Sequence, residues 1–128
     1  MNLMLRQVHA WLAWVFVGAI LVQVWLAGSA IPQLGGDGSF ETHKGFGYLI
    51  GLLTLVQLVL AAAAGMGRRR IGQSAGLFVL YIIQSSLPYM DPGLPAAAAL
   101  HPVNALVMFG LGIWYARGVW RERSVAMA

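Results

Sequence analysis

The sequence predicts an all-α fold, an up-down bundle of four helices embedded in a membrane. Three observations predict it. Of the 128 residues, 59% are hydrophobic and only 9% charged, with a mean hydropathy of +0.74. A soluble globule of this size buries too small a fraction of its surface to hide so much apolar area, so lipid is the natural solvent for most of it. The apolar residues gather into four runs that reach or approach the roughly 20 residues needed to cross a bilayer. The connections between them are short, which makes successive helices antiparallel neighbours. No stretch is long and polar enough to form a soluble domain, so residues 1–128 read as one four-span domain.

The first span runs from about Met4 to Gly28. Gly28, Ser29 and Ala30 imitate a signal-cleavage site, but the apolar stretch is long for a signal and predicts a retained helix. The segment Ile31 to Thr42 carries Pro32, Gly35, Gly36, Asp37, Gly38 and Ser39, a turn composition. The second span, His43 to Gly65, stops at Gly65-Met66-Gly67 before the basic run Arg68-Arg69-Arg70. The third, Ile71 to Leu87, is diluted by Gly72, Gln73, Ser74, Gly76, Gln84, Ser85 and Ser86; it must cross for the topology to close. A second loop, Tyr89 to Leu100, holds Pro92, Pro95 and an alanine run. The fourth span is expected to begin at His101-Pro102, since proline suits the first helical position, and to continue to Ala116. The two halves echo one another, an outward helix preceding an inward one that opens with histidine.

Charge sets the orientation. Seven of the eight basic residues (Arg6, Arg68, Arg69, Arg70, Arg117, Arg121, Arg123) lie at the two termini and in the middle loop, and three of the four acids (Asp37, Glu41, Asp91) in the other two loops. This positive-inside pattern predicts cytoplasmic termini and a multi-pass place in the cell membrane, as in a bacterial inner membrane. The same basic groups are a handle for anionic lipid headgroups, so membrane lipids are the expected partners and nucleic acid is not. Absence of cysteine removes disulfides, thiolate ligands and cysteine redox chemistry. Trp11, Trp114, Tyr115 and Trp120 fit an inner aromatic belt, and Trp25, Tyr48 and Tyr89 an outer one. Six methionines (Met1, Met4, Met66, Met90, Met108, Met127) form no cluster in sequence that would suggest copper.

His43 and His101 head the second and fourth spans, which run parallel and sit diagonally across the bundle, so both histidines lie near the outer face at similar depth. Paired axial histidines are a recurrent way of holding a b-type heme between membrane helices. Gly47 and Gly51 follow His43 at successive four-residue steps on one helical face and would leave a groove for a macrocycle; Ala105 stands four residues after His101. Asn104, one turn beyond His101, reaches either a ligand's edge or a neighbouring helix, and Lys44 either a propionate or Glu41. Glycines at such spacing also serve helix packing alone, and a histidine at a helix start also serves as a headgroup-zone residue. His9 lies roughly 25 Å away in depth, at 1.5 Å per residue, too far to share their ligand. It is expected to hydrogen-bond Gln57, or its own copy in an oligomer. Gln23, Gln57, Gln84 and Asn104 are expected to cross-link helices.

The stretch Phe40-Glu41-Thr42-His43-Lys44-Gly45-Phe46-Gly47, with Gly51 and Gln57 after it, resembles the second helix of one half of a heme A synthase, and more generally the plan of small bis-histidine membrane cytochromes of b type. The resemblance implies His43 and His101 as axial ligands, Lys44 as the basic neighbour and Glu41 as the acidic one. Glu41 stands one residue closer to its histidine than in that family, lysine replaces arginine, and only one half is present. It therefore implies a heme-binding unit rather than synthase activity.

The expected function is binding of one heme b through His43 and His101, with electron transfer in the membrane, as a cytochrome component of a quinol-linked system; a quinol or a membrane redox protein would supply electrons. Gly72 and Gly76 offer a face for a homodimer. Two other readings remain open: a non-catalytic membrane subunit, and a transporter or metal-handling protein using His43, Glu41 and His101.

Overall fold

The computed structural model describes residues 2–90 and 94–127. Four α-helices account for nearly all of them: α1 (Asn2–Ala30), α2 (Glu41–Ala63), α3 (Gly67–Ser86) and α4 (Pro95–Met127). Met1, Asp91 and Pro92, which entered the sequence reading, lie outside the described residues. No strand occurs among the described residues.

Each helix packs on two neighbours, α1 on α2, α2 on α3, α3 on α4 and α4 on α1, and none packs extensively across the diagonal. Polar contacts fix the directions. Arg6, near the start of α1, donates to the carbonyls of Ala64 and Gly65 just past the end of α2, at 3.3 and 2.9 Å. Gln23, near the end of α1, meets His43 at the start of α2. Arg70 at the start of α3 pairs with Glu122 near the end of α4. Consecutive helices are thus antiparallel. One end of the bundle carries the termini and the α2–α3 turn, and the other the two remaining connections.

Two positive-φ glycines, Gly65 (φ 58°) and Gly67 (φ 81°), flank Met66 in the α2–α3 turn, a backbone path that side-chain-bearing residues rarely follow. The Arg6 guanidinium satisfies carbonyls that the end of α2 leaves without helical partners. In the α1–α2 connection, Gly36 lies so close to the backbone of Ser29 and Ala30 that a Cβ would collide with it. The single 3₁₀ turn Pro32–Leu34 and the bond from the Gly38 amide to the Ala30 carbonyl (2.9 Å) keep this loop folded back on the helix end.

The core runs along the axis. Ala10, Ala13, Phe16, Val17 and Ile20 recur at three- and four-residue steps on α1 and face Ile50, Leu77, Met108, Tyr115 and Val119. Outside it the bundle is apolar as well: Trp25, Tyr48, Leu49 and Leu106 are 59–70% exposed. By length and composition α1, α2 and α4 can cross a membrane; α3 is shorter and more polar.

The structure corrects one helix boundary. α4 begins at Pro95, about two turns before His101-Pro102, and extends past Ala116 to Met127. Alanine has the highest helix propensity, so Ala96 to Ala99 continue the helix rather than a loop. Pro102 therefore lies inside α4, where its missing N–H leaves one helical bond unmade.

Candidate functional site

His43 and His101 face each other at the loop end. Their ring centroids are 6.1 Å apart and their planes are inclined by 65°. α2 and α4 barely touch across the bundle, so the two imidazoles bridge the diagonal that the backbones leave open. Both rings are half-buried.

Each ring is gripped by one glutamine from the preceding helix. His43 Nδ1 donates to the Gln23 carbonyl at 3.1 Å, and the Gln23 side-chain amide donates to His43 Nε2 at 3.3 Å and to the His43 carbonyl at 2.8 Å. His101 Nδ1 donates to the Gln84 carbonyl at 2.9 Å, and the Gln84 amide donates to His101 Nε2 at 3.1 Å. A carbonyl can only accept, so each Nδ1 carries the proton and each Nε2 keeps its lone pair. Anchoring Nδ1–H on a backbone carbonyl is how metal-ligating histidines are commonly oriented and made more basic. The arrangement occurs twice, once in each half of the chain.

Asn104 braces the second grip. Its amide donates to the Leu80 carbonyl at 3.0 Å and to Gln84 Oε1 at 2.8 Å. Gln23 Oε1 is buried with no hydrogen-bond partner among the described residues.

A cavity of about 680 Å³ opens around the two rings, within the usual range for small-molecule sites. Its walls include Gln23, His43, Gly47, Tyr81, Gln84, His101 and Met108, and residues of both loop-end connections, among them Phe40 and Tyr89, cover it. Phe40 also meets the His43 ring edge-on, with centroids 6.2 Å apart. Lys44 and Glu41 line the mouth and pair with each other at 2.8 Å, both exposed. The Lys44–Glu41 alternative of the sequence reading is thus the contact present.

Of the residues singled out for a cofactor, His43, His101, Gly47 and Lys44 line this cavity, as does Ala105. A Cβ at Gly47 would lie 3.1 Å from the Gln23 amide. Gly51 and Asn104 stand outside its walls. The phenol end of Tyr81 lies against Gly51 so closely that a Cβ there would collide with it. The expected Gly47–Gly51 groove is therefore met by the Gln23 amide at Gly47 and covered by an aromatic ring one turn deeper. No group of three or more His, Asp or Glu side chains placed to hold a metal ion occurs among the described residues.

The opposite end holds a second polar cluster with different geometry. His9 is fully buried, and its Nε2 shares a 2.6 Å hydrogen bond with the Tyr115 hydroxyl, which also bonds Ser74 Oγ at 2.5 Å. Of the two partners expected for His9, Gln57 or a second copy of the chain, Gln57 instead donates to the Leu12 carbonyl, at 3.5 Å. Tyr115 was expected in an aromatic belt, yet it is 1% exposed. Three buried polar groups from α1, α3 and α4 hydrogen-bond one another there, which draws the ring inward, while His9 Nδ1 is buried with no partner among the described residues. Trp11 and Trp114 do face outward, at 58% and 54% exposure.

Sequence reasoning placed Gln23 and Gln84 among helix cross-linkers and missed their direct hold on the histidines. The available signal was a glutamine near the loop end of each helix preceding a histidine, 20 residues before His43 and 17 before His101.

No curated protein and no solved structure matches the chain. One family model does, over residues 23–89, which span Gln23, His43 and Gln84 and stop short of His101. That match covers just over half of the sequence, and the chain belongs to this family, DUF6220, described as a family of unknown function.

Proposed function

We propose that the protein spans the membrane four times with both termini in the cytoplasm and binds one heme b near its outer face, His43 and His101 being the axial ligands. The observation that carries this reading is the opposed pair of imidazoles, each with its Nδ1–H anchored on a backbone carbonyl and its unprotonated Nε2 met only by a glutamine side-chain amide. The two rings stand 6.1 Å apart, centroid to centroid, close enough for one ligand to meet both. The donor set fits as well, because two neutral histidines without a third ligand suit the two axial positions of a macrocycle-bound iron rather than a bare ion. Resemblance of residues 40–47 to a heme A synthase half points the same way.

Within this reading the side chains have separable tasks. Gln23 and Gln84 hold the imidazole tautomer through their backbone carbonyls, and their side-chain amides would have to leave Nε2 for a metal to be held there. Gly47, lacking a side chain, would let a ligand approach the backbone in the place of the Gln23 amide that now stands there. Lys44, paired with Glu41 at the cavity mouth, would be the cation available to a propionate. Phe40 stands edge-on to the His43 ring at the rim of the cavity. Heme with both axial positions filled by protein supplies one-electron transfer, and a quinol or a membrane redox partner is the natural donor.

A visible spectrum of the purified protein tests the proposal. A Soret band that shifts on reduction is expected; a colourless protein, with or without zinc, overturns it. His43→Ala and His101→Ala are each expected to abolish heme retention, while His9→Ala retains it. Unchanged heme spectra in either of the first two variants would refute the ligand assignment.

A further inference from the structure

We propose that the groove between α3 and α4 at the termini end is a binding site for an anionic phospholipid, taking its phosphate at the mouth and one acyl chain along α4. α3 and α4 pack less extensively than the other three neighbouring pairs. The gap leaves a cavity of about 520 Å³, and Arg69, Arg70, Gly110, Trp114, Arg117 and Arg121 are among its walls. Residues 110, 114, 117 and 121 follow one another at three- and four-residue steps, so they form a single stripe down α4. That stripe changes character along its length. Two guanidinium groups stand at the mouth, an exposed indole follows, and Gly110 lies about 16 Å beyond Arg121, at 1.5 Å per residue. A side chain at Gly110 would meet nothing within 4 Å, so the floor of the groove is bare.

The charges in the groove do not cancel. Its one carboxylate, Glu122, is held by Arg70, whose guanidinium reaches the two carboxylate oxygens at 2.6 and 3.1 Å and also donates to Gln73 Oε1 at 2.8 Å. The Arg70 guanidinium is packed over the bare Cα of Gly118, which fixes this pair as the wall of the site. Arg69, Arg117 and Arg121 remain, exposed and without a hydrogen bond or ion pair among the described residues. Three uncommitted guanidinium groups converging above an apolar channel match a phosphodiester with a hydrocarbon tail. Arginine recognises phosphate through its planar fork, and basic pockets between membrane helices bind anionic headgroups. A free phosphate or nucleotide would use the mouth and leave the apolar stripe without a purpose.

This inference rests on the bundle lying in a membrane and not on the heme proposal, so each can fail alone. The test is native mass spectrometry of the full-length detergent-solubilised protein titrated with phosphatidylglycerol, phosphatidylcholine or inorganic phosphate. Retention of phosphatidylglycerol over phosphatidylcholine is expected. The double variant Arg117→Gln/Arg121→Gln should weaken it by about 30-fold, from roughly a fivefold loss per surface arginine. Gly110→Leu should weaken it by obstructing the chain, whereas Arg68→Gln, outside the groove, should bind like the parent. Equal binding of the two lipids, full displacement by inorganic phosphate, or an unchanged double variant that elutes as a folded protein would overturn the proposal.

Discussion

Gln23 shows how much a single side chain decides at the loop end. Its amide donates to His43 Nε2, the lone pair that a metal would need, while its Oε1 stays buried and unpaired. Removing the side chain frees that lone pair, and the backbone carbonyl still holds Nδ1. Since a net hydrogen bond contributes about 1 kcal/mol, Gln23→Ala is expected to bind heme about fivefold tighter in a titration followed at the Soret band. Weaker binding would mean that the amide orients the ring rather than masking it. Tyr115 makes the complementary case at the other end. Tyr115→Phe strips the shared partner from His9 and Ser74, both buried. Chemical unfolding in detergent should show a loss of about 1–3 kcal/mol, with heme retention unchanged. The two histidines were legible in sequence because imidazoles at the heads of apolar runs are rare and matched in depth. Their glutamine partners were not, because a glutamine in a span reads equally well as a tie between any two helices.

At the scale of helices, the glycines divide by what stands opposite them. Gly51 of α2 lies against the phenol of Tyr81 on α3, and Gly112 of α4 would place a Cβ 2.9 Å from the Phe16 ring of α1. Gly72 and Gly76 of α3 face open space. An added methyl gains helix propensity of about 1 kcal/mol where space is free and costs about 1–3 kcal/mol where it overpacks. Thermal unfolding should therefore place Gly72→Ala above the parent and Gly51→Ala below it, with Gly51→Ala/Tyr81→Ala recovering part of the loss. Spacing cannot separate these classes, since four-residue repeats of glycine occur at both a packed and an open face. Helix ends were similarly half-legible. The Gly65-Met66-Gly67 stop followed from composition, but proline at residue 102 competed with proline at 95 for the start of α4, and the alanine run between them tipped the balance.

For the whole molecule, the decisive element is α3, whose composition is poor for a membrane span. Its place in the bundle explains that composition. α3 leaves the turn at the termini end and delivers the chain to the loop end over 20 residues, about 30 Å at 1.5 Å per residue, the depth of a hydrocarbon core. Beyond Arg68 and Arg69 at its start, its larger polar side chains are occupied within the bundle: Arg70 with Glu122 and Gln73, Ser74 with Tyr115, and Gln84 with His101 and Asn104. Outward it presents Val79, Ile82 and Ile83, 44–55% exposed. A helix whose polar groups are satisfied inward can face lipid with what remains, so hydropathy averaged around the helix understates its suitability. With α3 across, the basic termini and the α2–α3 turn share one side of the membrane, and the loop that holds Asp37 lies on the other. Because the chain has no cysteine, single replacements report the sidedness directly. Ser39→Cys should react with a membrane-impermeant maleimide in intact cells, and Arg68→Cys only after the membrane is opened. Labelling of both positions from the same side would break the four-span arrangement, and with it the placement of the histidine pair at the outer face.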